Sequence, residues 1–60
     1  MVMVNVYVVT NNHTGRSYEV FGGNTPTNLD MVWNGEKYWF SKGCSVTITA
    51  PNGESKTFTK

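Results

Sequence analysis

Cys44 and His13 each occur once in the 60-residue chain, and a thiol–imidazole nucleophile would need the two side by side. His13 falls in "NNHTGR", a run of turn-forming residues, whereas Cys44 opens "CSVTITA" on the apolar side of an alternating stretch. The first reads as a solvated turn residue and the second as a small buried hydrophobe. The four carboxylates, Glu19, Asp30, Glu36 and Glu54, are scattered at turns and exposed positions, so nothing forces a pair together for acid–base work. One cysteine and one histidine cannot complete the common zinc sites within one chain. Gly22-Gly23 ahead of Thr25-Pro26 would point backbone N–H groups at an anion, but the lysine and spacing of a phosphate loop are missing. The sequence therefore predicts a protein that is not an enzyme and has no metal or cofactor.

The other concentration of chemistry is "MVWNGEKYWF", residues 31–40, which holds both tryptophans, a tyrosine and a phenylalanine. Asn34-Gly35 between "MVW" and "EKYWF" is a strong signal for a two-residue hairpin. In that hairpin Trp33 lies opposite Glu36 and Met31 opposite Tyr38, and opposed residues share a face. Met31, Trp33, Tyr38 and Phe40 then form an apolar core side. Val32, Lys37 and Trp39 form the other. An exposed tryptophan beside a lysine is typical of a partner anchor, so Trp39, Lys37, Val32 and Lys42 are the expected partner-binding residues.

The elements that must carry these groups follow from period-two alternation and turn residues. In "MVMVNVYVV", Val2, Val4, Val6 and Val8 point to one side and Met3, Asn5, Tyr7 and Val9 to the other. Apolar groups on both faces predict a strand in the middle of the sheet or covered on both sides. Gly15 suits a positive φ in the following turn, and "SYEVF" completes an N-terminal hairpin. In "CSVTITAPNGESKTFTK", Pro51 and Gly53 fit a three-residue hairpin loop. If Ala50 pairs with Glu54, Ile48 faces Lys56 and Val46 faces Phe58. Cys44, Val46, Ile48, Ala50 and Phe58 then form a core face, and Ser45, Thr47, Thr49, Ser55, Thr57 and Thr59 a wet one.

Residues 22–30, "GGNTPTNLD", read as a loop with room for one helical turn near 26–29. The competing expectation is a helix over 26–33, capped by Thr25, started by Pro26, and ended by Gly35, with Leu29, Val32 and Trp33 as its stripe. The fold expected is all-β: one domain spanning 1–60, a small antiparallel meander or open barrel of five to six short strands. The alternative is α+β with the 26–33 helix.

Function is read mainly by elimination. A net charge of +1 supplies no general attraction for nucleic acid. Single-cysteine usage fits a reducing cytoplasm. The apolar start has no basic leader or cleavage site and is too short to span a bilayer, so neither secretion nor a membrane is expected. Asn12-His13-Thr14 matches a glycosylation acceptor, a short pattern that arises easily by chance. The threonine pairs 47/49 and 57/59 reflect ordinary strand propensity, being too few for an ice-binding ladder. A chain this short buries only roughly 60% of its unfolded surface and has no disulfide to help, which points to self-association as a homodimer. The first strand, with little charge, is the expected pairing edge, and the last strand is an edge guarded by Lys56 and Lys60. These features suit a small protein-binding module, regulatory or inhibitory, with phage-encoded inhibitors of host machinery as one such class. The second reading is a small β-barrel that binds single-stranded nucleic acid through Trp39, Lys37 and neighbours such as Tyr7 or Lys42. No RNA-recognition or cold-shock motif accompanies it.

Overall fold

In the computed structural model, residues 5–23 and 27–60 are described. Strands β1 (Val6–Asn11) and β2 (Ser17–Phe21) form the first hairpin. Helix α1 (Leu29–Glu36) follows, and a 3₁₀ turn (Lys37–Trp39) continues from its end. Strands β3 (Ser45–Thr49) and β4 (Ser55–Thr59) form the second hairpin. The sheet is antiparallel with strand order β2-β1-β3-β4.

The second hairpin has the register expected from its alternation. Val46 pairs with Phe58 and Ile48 with Lys56. The Ala50 N–H donates to the Glu54 carbonyl at 2.6 Å across the loop. Gly53 adopts φ +95°, a conformation that an L side chain resists and glycine does not. Val46 and Ile48 are fully buried, with Cys44, Ala50 and Phe58 packed against them. The first hairpin also forms as expected.

Three expectations are overturned. The described residues contain four strands, not five or six, and they make an open sheet rather than a barrel or a meander. In a meander β2 would lie beside β3, whereas here β1 lies between them. Because β1 runs antiparallel to both, β2 and β3 are parallel, and their connection must cross β1. Secondly, Asn34-Gly35 makes no hairpin. Both residues lie in α1, which resembles the 26–33 helix alternative displaced toward the C-terminus. The third correction follows from strand order: β1 is paired on both sides, so it cannot be the edge through which copies join. Central placement does agree with its two apolar faces. Val2, Met3 and Val4, expected in the first strand, and Thr25-Pro26, expected to start a helix, lie outside the described residues.

The helix forms because the sheet presents an apolar face that needs cover. Tyr7 and Val9 on β1 and Val46 and Ile48 on β3 are almost completely shielded, and Val32 of α1 closes the cluster at 8% exposure. Leu29, Val32 and Trp33 occupy positions i, i+3 and i+4, which share one side of a helix. Asn28 is the N-cap, its Oδ1 accepting from the Met31 N–H at 2.8 Å. The start of the helix is tied to the sheet by Tyr7. Its hydroxyl donates to the Thr27 carbonyl and accepts from the Thr27 N–H, both at 2.9 Å. One buried ring thus fixes where the chain leaves the loop and turns into α1.

Candidate functional site

The connection after α1 determines which aromatics are buried and which are offered to solvent. Trp33, still on the helix, stacks on Phe58 of β4 with ring centroids 5.2 Å apart. Phe40, where the chain extends again, lies 6.0 Å from Trp33 and 6.4 Å from Tyr18 of β2. Tyr18, Phe40, Trp33 and Phe58 therefore form a row across the helix side of the sheet, from one edge strand to the other. Such ring pairs add to the burial of their apolar area.

Between Trp33 and Phe40 the chain tightens into the 3₁₀ turn, closed by the Phe40 N–H donating to the Lys37 carbonyl at 3.1 Å. The turn throws Tyr38 and Trp39 outward. They are 75% and 79% exposed, the most exposed of the large hydrophobic residues described. Lys37 Nζ sits 5.6 Å from the centre of the Tyr38 ring, and Lys60 Nζ lies 5.9 Å from the same ring. Lys60 is also held in place, donating to the Phe40 carbonyl at 2.8 Å. Lys42 is exposed in the turn just beyond Phe40. Cations close to an aromatic ring are attracted to its face, weakly where water competes.

Charge is distributed unevenly along the molecule. Arg16, Lys37, Lys42 and Lys60, four of the five basic side chains, belong to segments at the end of the sheet where α1 finishes. The carboxylate at that end is Glu36, which accepts a hydrogen bond from the Tyr18 hydroxyl at 3.0 Å. Partial burial, with the Glu36 hydrogen bond and charge adding to it, pushes the Tyr18 phenol up to about 12. At the opposite end Asp30 pairs with Lys56 at 2.8 Å and Glu54 carries a further negative charge. A cleft of about 550 Å³ opens there between the start of α1 and the β3–β4 loop. Lys56 and Asp30, two of its charged groups, already neutralise each other.

The expected binding residues separate into two groups. Trp39, Lys37 and Lys42 come to one end of the molecule, with Trp39 and Lys42 exposed and Lys37 partly so. Val32 does not join them, because it faces the sheet from the middle of α1 and lies in the core. A hairpin alternates sides every residue, whereas a helix brings Leu29, Val32 and Trp33 to one side, and this moves Val32 inward. The same change reverses Met31 and Tyr38, expected in the core. Met31 is 63% exposed and Tyr38 more so. Sequence reasoning missed Tyr38 and Lys60 as members of this surface. The helix alternative, ended by Gly35, assigned no side to Tyr38. Lys60 is brought in only by the pairing of β4 with β3.

Cys44 packs against the core at the start of β3, and His13 is exposed in the turn after β1. Among the described residues no cluster of three histidine, cysteine or acidic side chains is arranged to hold a metal ion, and no helix is long and apolar enough to cross a membrane. The chain matches no protein family, no curated protein and no solved structure.

Proposed function

We propose that this is a non-enzymatic protein-binding module that grips its partner with Trp39 and Tyr38, steered by Lys37, Lys42 and Lys60. The observation that carries this reading is an adjacent tryptophan and tyrosine, both exposed, at the basic end of a small sheet. Exposed apolar area costs solubility and usually marks a contact surface. Trp and Tyr are also the residues most often found to dominate binding energy. Lysines around the pair favour a partner whose surface carries carboxylates, because complementary charge speeds encounter and rejects wrong partners. A binder of this kind acts by occupying its partner's surface, so the role is regulatory or inhibitory, and we place it in the cytoplasm on its single-cysteine usage.

The lysines beside the Tyr38 ring also suit a single-stranded nucleic acid, whose bases stack on aromatics and whose phosphates attract cations. A net charge of +1 over the whole chain is weak for a nucleic-acid binder, which favours the protein reading. The two are separated by one experiment. The immobilised protein is challenged with lysate of its native cells, with and without nuclease, and with single-stranded DNA over a salt series. A protein retained by the wild type, lost with Trp39→Ala and indifferent to nuclease is expected. Substituting Trp39 should cost at least about 2 kcal/mol of affinity for that protein. Capture that survives Trp39→Ala would refute the reading. Retention of DNA that falls steeply with salt would support the nucleic-acid reading in its place.

A further inference from the structure

Strands β2 and β4 each have one unpaired side among the described residues. Residues opposite one another in an antiparallel ladder alternate between those that exchange hydrogen bonds and those that do not. In the second hairpin the Ala50 N–H donates to Glu54 and the Lys60 N–H to Cys44, so the even-numbered residues of β4 bond inward to β3. The N–H and C=O groups of Ser55, Thr57 and Thr59 therefore point away from the sheet, three donors and three acceptors in a row.

We propose that β4 pairs with β4 of a second copy, antiparallel about a two-fold axis at Thr57, to give a continuous eight-stranded sheet. The argument is one of register. With the axis at Thr57, Glu54 stands opposite the partner's Lys60 and Lys60 opposite the partner's Glu54. Lys56 stands opposite the partner's Phe58, a cation beside a ring, as Lys56 already sits 5.4 Å from the Phe58 ring in its own chain. Thr57 meets the partner's Thr57 and Ser55 meets the partner's Thr59, hydroxyl against hydroxyl. Shifting the axis to Lys56 sets Lys56 against the partner's Lys56, and shifting it to Phe58 sets Lys56 against the partner's Lys60. Both place like charges face to face. An axis at Ser55 sets Glu54 against the partner's Lys56 but lays β4 along the partner's 51–54 loop. Charge and full strand overlap together therefore select the register centred on Thr57.

The other edge lacks this complementarity. A two-fold axis at the centre of β2 puts Glu19 against the partner's Glu19. The helix is compatible with pairing through β4. It packs over β3 and β4, and strands lie about 4.8 Å apart. Two such helices related by the axis are then separated by about 10 Å, the upper end of ordinary helix-packing distances. Lys56 and Lys60, which guard this edge against random strands, become the groups that choose a second copy. Lys60 belongs both to this edge and to the surface beside Tyr38, so the pairing is tested on the purified protein alone, without the partner of Trp39.

Sedimentation velocity is the test, over about 10 µM to about 1 mM, where a small interface is expected to be half-formed. The wild type should pass reversibly from monomer to dimer. Glu54→Lys places two lysine pairs in opposition and should weaken the dimer at least tenfold. The double variant Glu54→Lys/Lys60→Glu recreates the pairs in reverse and should restore it. Thr57→Pro removes an N–H that bonds outward only, and should abolish the dimer while circular dichroism shows a folded sheet. A wild-type monomer across the whole range overturns the proposal. So does a dimer indifferent to Glu54→Lys or not restored by the double variant.

Discussion

Trp33 and Trp39 are six residues apart and meet opposite surroundings. Trp33 is the last large apolar residue of the α1 stripe, sandwiched between Phe58 and Phe40 over the sheet. Trp39 ends the 3₁₀ turn and is exposed over most of its surface. The same side chain is structural in one place and offered to solvent in the other. The difference arises from Lys37–Trp39, a short tight turn that lets Phe40 return to the sheet while its two predecessors stay outside. One segment thus holds the domain together with one half and exposes two aromatic rings with the other.

The sharpest way to break this contrast is Trp33→Ala. Loss of a packed tryptophan costs about 3 kcal/mol or more, a large part of what a chain of this size has in reserve. Urea denaturation followed by circular dichroism should find the variant largely unfolded. A change comparable to that of Trp39→Ala would show the aromatic row to be unimportant.

Tyr7→Phe probes how the start of α1, the helix that carries Trp33, is held on the sheet. It keeps the ring and removes the hydroxyl, leaving the Thr27 N–H and C=O without their partner. Unsatisfied part-buried groups cost about 2 kcal/mol, to be seen as a lower denaturation midpoint with an unchanged slope. Removal of the helix cap by Asn28→Ala should cost about 1 kcal/mol in the same assay.

Tyr18 reaches the Trp33 side of the contrast through Phe40, and its effect depends on pH. Partial burial and then the Glu36 contact push its phenol from the ordinary 10.0 up to about 12, so folding favours the protonated form. That contribution is fully present below pH 10.0 and is lost as pH rises toward 12. Wild type should lose stability relative to Tyr18→Phe over this window, and absorbance titration should show a tyrosine ionising late. An equal pH dependence in the two proteins would mean that neither the burial of the phenol nor its Glu36 contact is maintained in solution. The smallest effect belongs to Trp39→Ala, whose stability should stay within about 0.5 kcal/mol of wild type, as for surface positions generally.

The second hairpin was legible in the sequence down to its pairing, because alternation and the Pro51–Gly53 loop act within a few residues of each other. Turn geometry fixes the register of strands so close in sequence. The 31–40 segment was legible only in part. Its Asn-Gly signal and its i, i+3, i+4 stripe were both present and pointed to different structures. Asn28 was not singled out as the cap, since Thr25-Pro26 gave a more familiar helix start. Of the proposed contact surface, Trp39, Lys37 and Lys42 could be named from sequence, but the hairpin that suggested them placed Val32 outside and Tyr38 inside.

The sequence by itself determined the two hairpins, 6–21 and 45–59, and the apolar side of the second, because those preferences are set by near neighbours. Only the tertiary structure decided that β1 pairs with β3 across a separation of more than thirty residues. That pairing joins Tyr7 and Val9 to Val46 and Ile48 as one apolar face. A strand hairpin at 31–40 would have left this face bare. A helix satisfies its own backbone hydrogen bonds while laying Leu29, Val32 and Trp33 on the face, so burial overrode the local turn signal and sent Trp33 inward and Trp39 out.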